Sequence, residues 1–178
     1  REVDTYFSEQ VFPVLTPLAY DPAHPFPFLA NQTLFLLVIF KEADEETLEV
    51  DSIPPLGFVG IPEIIPRLIP VTTKTKDQYH FVLLEDLIAE HLGHLFMGFE
   101  IEATYPLRVT RNLEYDLLEN EVTDLLKTIQ KEVTERALQE AVRLEVDPGI
   151  PSPVLDRFVS LLGLTPEDVY KVSSPIHI

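Results

Sequence analysis

The 178-residue sequence has no cysteine, which removes a disulfide framework, a thiolate nucleophile and a zinc ribbon. A cytoplasmic setting fits that composition, with membrane association of a larger protein left open. Basic residues are scarce: thirteen Lys and Arg against thirty Asp and Glu leave a net charge of −17. Such a surface repels phosphate backbones at long range, so no nucleic acid is expected as partner. Long apolar runs are missing too. The longest, Leu34 to Phe40, has seven residues, far short of the ~18 a transmembrane helix needs. The six glycines form no Walker or dinucleotide fingerprint, and no Gly-x-Ser-x-Gly elbow occurs. The chain opens on Arg1, and its single methionine is Met97. It begins directly with a helical pattern and no signal peptide, so it reads as a piece cut from a longer chain.

What is present suits one domain of residues 1–178. With 46% apolar residues, a chain this long buries roughly 70% of its unfolded surface. Residues 1–12 place Val3, Tyr6, Phe7 and Val11 at helical spacing and read as a linking helix. Residues 13–33 follow, with Pro13, Pro17, Pro22, Pro25 and Pro27 among aromatics and leucines. That composition predicts an ordered, extended segment, neither helix nor central strand. Leu34–Phe40 lacks alternation and reads as a strand buried on both faces. An acidic turn around Glu42, Asp44, Glu45 and Glu46 leads to a strand near Leu48 and Val50, and residues 54–66 read as irregular. RLIPVTT and QYHFVLL predict a hairpin with Lys74, Lys76 and Asp77 at its tip.

EDLIAEHLGHLF predicts one helix with Leu84, Leu87, Ile88, Leu92, Leu95 and Phe96 inward, and Gly98 suits its stop. IEATYPLRVTR alternates as a half-buried strand, expected at an edge or bulge because of Pro106. A longer helix is expected over 119–138, then a strand with Val142, Leu144 and Val146 inward. Ser152 is expected to cap a helix that Gly163 stops, and Thr165 starts a last helical turn. Strands and helices without regular βαβ alternation predict an α+β fold: a mixed or antiparallel sheet with several packed helices.

Few residues suggest chemistry. His91 and His94, three apart on a helix, could share a metal if a third ligand arrived, which would suit a free-standing metal-dependent hydrolase. Both also fit as a packed and a boundary histidine. Arg108 and Arg111, with Asn112, could aim two guanidiniums at one anion, or each could simply pair with a carboxylate. His24 is held between prolines in DPAHPFPF, a segment that could instead dock another protein, making the chain an interaction module. It lacks the flanking basic residues of a polyproline ligand.

Longer strings say more. YFSEQVFPVLTPLAYDPAHPFPFLAN, FVLLEDLIAEHLGHLF, YPLRVTRN and LTPEDVYKVSSPIHI, in that order, closely resemble the middle, or head, domain of bacterial polyphosphate kinase. Residues 61–78 depart from the family pattern. The resemblance implies a phosphotransferase that reversibly moves the terminal phosphate of ATP onto polyphosphate, with magnesium. It implies N-terminal and C-terminal domains of the same enzyme as partners, and a homodimer or higher oligomer. The family's phosphorylated histidine and its ATP and metal ligands lie mainly in C-terminal domains. None of His24, His80, His91, His94 or His177 matches that nucleophile. This chain is therefore expected to hold no catalytic residue, cofactor or metal of its own. It is expected to be inactive alone, and to serve structure and dimerisation. Because polyphosphate is so anionic, any contact with it would need a local basic patch. Arg108, Arg111, Asn112 and His24 are the candidates.

Overall fold

A computed structural model of the chain describes residues 2–20, 25–41, 54–72, 78–112, 140–173, 175 and 176. Its elements are α1 (Glu2–Tyr6), β1 (Pro17–Tyr20), β2 (Leu34–Phe40), β3 (Leu56–Gly60), β4 (Leu68–Val71) and β5 (His80–Leu83), followed by α2 (Leu84–Glu90) and α3 (Leu92–Leu95). Then come β6 (Ile101–Arg111), β7 (Ala141–Val146), α4 (Ser152–Leu162) and β8 (Val169–Lys171). The described strands form a six-stranded sheet in the order β1-β3-β2-β6-β7-β8 and a β4–β5 hairpin. Pairing is antiparallel except between β7 and β8, which α4 connects as a parallel pair. The α+β expectation holds.

An apolar strand with no polar face is stable only between covered surfaces. All seven residues of β2 are buried. Phe35, Leu37 and Ile39 face the α4 side, where they meet Phe58, Leu107, Val109, Leu144 and Phe158. Leu34, Leu36, Val38 and Phe40 face the other side, packed with Phe7, Val11, Leu84, Ile88, Leu92 and Ile176. The N-terminal helix expected from Val3, Tyr6, Phe7 and Val11 is present. It continues from α1 through a π-helical turn at Phe7–Val11 and a 3-10 turn at Phe12–Val14. The proline-rich segment then supplies β1, an edge strand, where a residue without an N–H is tolerated. The β4–β5 hairpin also forms, with Leu68 opposite Leu83 and Val71 opposite His80.

Several expectations are corrected. Residues 56–60 are not irregular but strand β3, internal between β1 and β2. Its glycines suit two crowded approaches. A Cβ at Gly57 would lie 2.9 Å from the Phe40 and Phe96 rings, and one at Gly60 would lie 3.3 Å from Phe35. The expected single helix over 85–96 breaks at His91, whose φ of −108° and ψ of 9° leave the helical region, dividing α2 from α3. Gly98 does take positive φ (89°) just beyond α3.

Pro106 does not mark an edge: β6 lies between β2 and β7. Its carbonyl accepts from Asp147 N–H, past the last residue of β7. The nitrogen of a strand residue points to the same side as its carbonyl, so the missing donor falls beyond the end of β7. Val142 is not inward. The β6–β7 register skips from Arg143 to Ala141, which leaves Val142 bulged and 46% exposed. Ser152 is the first residue of α4, not its cap; Pro151 takes that position and offers no side-chain bond. Gly163 does stop α4, with φ of 68°. Thr165 and Asp168 close a capping box over the 3-10 turn at Pro166–Asp168. The turn at 42–46, the strand near Leu48, the hairpin tip and the helix over 119–138 lie outside the described residues.

Candidate functional site

β6 presents its residues alternately to the two sides of the sheet, so residues three apart face opposite ways. Arg111 follows Val109 on the α4 side and stands opposite Ala141, also in that core. Arg108 therefore faces away from it. The two arginines, expected to converge on one anion, are separated by the sheet itself.

Arg108 stands directly opposite Glu145 on β7, and Glu145 stands opposite Tyr170 on β8. Arg108 Nε donates to Glu145 Oε2 at 2.5 Å, and Arg143 Nη2 donates to Oε1 at 2.9 Å. Burial by itself would raise the Glu145 carboxyl. The hydrogen bonds and charges of Arg108 and Arg143 outweigh burial and hold the carboxyl below its ordinary value. The Arg143 guanidinium lies over the Tyr170 ring, 3.9 Å from its centre. Three residues on adjacent strands thus align across the sheet, with Arg143 at their margin. The sequence singled out Arg108 alone. The signal for the others was the Arg143-x-Glu145 spacing, which puts both side chains on one face of a strand.

Arg111 serves a different purpose. Its Nε donates to the Leu29 carbonyl at 2.9 Å, and its guanidinium covers the Phe28 ring at 4.5 Å. Its backbone N–H donates to Asn31 Oδ1 at 2.8 Å. Burial pulls its pKa below the ordinary arginine value. Together with the Gln32 N–H bonded to the Val109 carbonyl, these contacts pin residues 28–32 to the end of β6. Gln32 completes that corner at φ 58°. Asn112 is exposed, and its N–H donates to the Glu140 carbonyl at 2.9 Å, next to the start of β7. His24 and His177 lie outside the described residues.

His91 is half-buried and engaged on three sides. Its Nδ1 is 2.9 Å from the Leu87 carbonyl, its ring stacks on Phe7 at 4.1 Å, and its Nε2 lies 3.4 Å from Asp4. His94 is exposed, with its ring 5.9 Å from that of His91. Among the described residues no three His, Cys, Asp or Glu side chains are grouped to hold a metal. A shallow cleft of about 150 Å³ lies between α1 and the hairpin, lined by Val3, Tyr6, Pro66, Leu68, Ile69 and Pro70. It is apolar and borders none of the residues singled out for chemistry. No described helix is long and apolar enough to cross a membrane.

These features define an α+β domain in which Arg108, Arg111, Arg143 and His91 are tied into its own sheet and helix contacts. The family model of the polyphosphate kinase middle domain matches residues 1–178, and the chain belongs to that family. It is 38% identical to a polyphosphate kinase of Aphanizomenon baltica, aligned over 96% of this chain and 44% of that protein. It is 37% identical to one of Bacillus anthracis, over 99% of this chain and 25% of that protein. The chain therefore spans between a quarter and less than half of these relatives. The crystal structure of polyphosphate kinase from Porphyromonas gingivalis has the same fold over 98% of this chain and 23% of that one. The TM-score is 0.72, at 23% identity.

Proposed function

We propose that this chain is the structural middle domain of an ATP:polyphosphate phosphotransferase. It organises a dimer and positions neighbouring domains that carry the chemistry. In this reading ATP, magnesium and the phosphorylated histidine belong to C-terminal domains of the same enzyme. The reversible transfer of terminal phosphate to polyphosphate takes place there, in a cytoplasmic protein. The observation that carries the reading is the family match over the whole chain, in relatives two to four times as long. The commitment of Arg111 to Leu29 and Phe28, and of His91 to Leu87 and Phe7, supports a scaffold role.

The interaction-module reading, with DPAHPFPF as its docking surface, overlaps with this one, and Phe28 of that segment is 48% exposed. Leu68 and Phe81, on the outward side of the hairpin, are 53% and 54% exposed, and such apolar surface suits a docked neighbour. Among the described residues no third ligand is grouped with His91 and His94, as the free-standing hydrolase would need. The test compares the isolated chain with the full-length protein that carries it, each given ATP and magnesium. Polyphosphate synthesis is expected only from the full-length protein, and light scattering should find that protein dimeric or larger. ATP turnover by the isolated chain would overturn the reading.

A further inference from the structure

We infer that His91 is a proton-operated latch that seats the N-terminal helix on the core. Two breaks in regular helical geometry meet at this point. The N-terminal helix turns π-helical at Phe7, and the α2–α3 pair breaks at His91. Their rings stack there, 4.1 Å apart and 18° from parallel. The ring's neighbours fix where its protons sit. Nδ1 lies 2.9 Å from the Leu87 carbonyl, which only accepts, so Nδ1 carries a hydrogen. Nε2 is then where a further proton binds, and it lies 3.4 Å from the Asp4 carboxylate on α1. A neutral ring places a lone pair beside that carboxylate. A protonated ring turns the same approach into a charge-assisted contact and adds a cation to the Phe7 stack.

The other charged groups set the size of the effect. His94, on α3, is exposed with its ring 5.9 Å away, so water and salt screen its repulsion of a charged His91. Glu90 on α2 and Glu9 on the π-helical turn are exposed as well. The amino terminus and, more weakly, His91 hold the Asp4 carboxyl below its ordinary value, so it stays charged throughout the histidine range. Burial of the ring opposes its charging, while Asp4 and Phe7 favour it only in the seated state. The Asp4 side chain is 66% exposed, which keeps the net preference to that of a partly exposed ion pair. A proton favoured in the seated state strengthens seating as pH falls and releases it as pH rises. Release carries Val3 and Tyr6 away with α1, and those side chains form one wall of the apolar cleft beside the hairpin. The latch thereby sets how open that cleft is.

The test is amide hydrogen exchange of the chain, comparing protection factors over residues 2–14 at about pH 5.5 and about pH 7.0. Histidine titrates over that span, whereas an α-amino group, ordinarily at about 7.7–8.0, stays mostly charged. We expect about two- to fivefold better protection at the lower pH, the worth of a partly exposed charge pair. The amides of α4 (Ser152–Leu162), on the other side of the sheet, should not follow. Asp4→Asn keeps the ring and its stack and should remove most of the step. His91→Gln should remove all of it, and His94→Gln should retain it. Four results overturn the latch: no step, a step shared in full by α4, a step that survives Asp4→Asn, or one lost with His94→Gln. If His91→Gln fails to fold, Asp4→Asn still decides, because Asp4 is exposed.

Discussion

On the α4 side of the sheet the closure is aromatic. Phe26 meets Phe58 at 5.6 Å and Phe158 at 5.7 Å, edge to face, and Tyr20 joins Phe26 at 5.3 Å. On the opposite side the closure is mainly aliphatic, through Leu84, Leu87, Ile88 and Leu92, with Phe40 and Phe96 at one end. The four rings of the first side come from β1, the proline-rich segment, β3 and α4, spread over some 140 residues of chain. The aliphatic side draws heavily on one stretch, residues 84–96. One face depends on distant parts meeting, the other on a local helical pattern. The two faces should therefore fail differently.

The largest expected effect is on the aromatic side. Phe58→Ala removes the ring that touches both Phe26 and Phe158, and should cost about 3–5 kcal/mol in chemical denaturation. The aliphatic side can be overfilled instead of emptied. Gly57→Ala places a methyl against the Phe40 and Phe96 rings, and should cost about 1–3 kcal/mol. If Gly57→Ala proves neutral, that side is more yielding than its packing implies.

A third comparison uses acid. Glu145 has a folded pKa below its ordinary 4.5, so its contribution to stability is fully present above that value and is lost as pH falls through the folded one. Glu145→Gln should flatten the acid limb of the stability profile by up to one proton's worth, about 1.4 kcal/mol per pH unit. The smallest effect is expected at Thr165. Its hydroxyl and backbone N–H both bind Asp168, and Thr165→Ala should cost about 1 kcal/mol, read as a lower melting temperature.

Much of the fold was legible where a local pattern decides it. β2 announced itself by an unbroken apolar run, and the N-terminal helix by its spacing. β3 did not, because its glycines and the prolines before it look like a loop. What makes it a strand is the space that Phe40, Phe96 and Phe35 require, and those rings lie at other points in the chain. Pro106 misled for a related reason: its cost depends on where β7 ends. The candidate site was half legible. Arg108 and Arg111 were both noticed, yet strand parity alone separates them, since three steps along a strand reverse direction. The pairing of Arg143 with Glu145 was within reach of their spacing on β7, whereas Tyr170 meets Arg143 only through the β7–β8 register.

The central seam of the sheet also carries a consequence for how the protein is made. β2 pairs with β6 over sequence distances from 61 residues (Phe40 to Ile101) to 74 (Leu34 to Arg108). β3 follows β2 much sooner and can cover one edge early. The other edge, seven apolar residues long, stays open until β6 leaves the ribosome, roughly 4–14 s later at ordinary synthesis rates. An uncovered apolar edge is a template for association with another nascent chain. During that interval β2 is the segment most in need of a chaperone, and slowing translation between residues 41 and 100 would lengthen the risk.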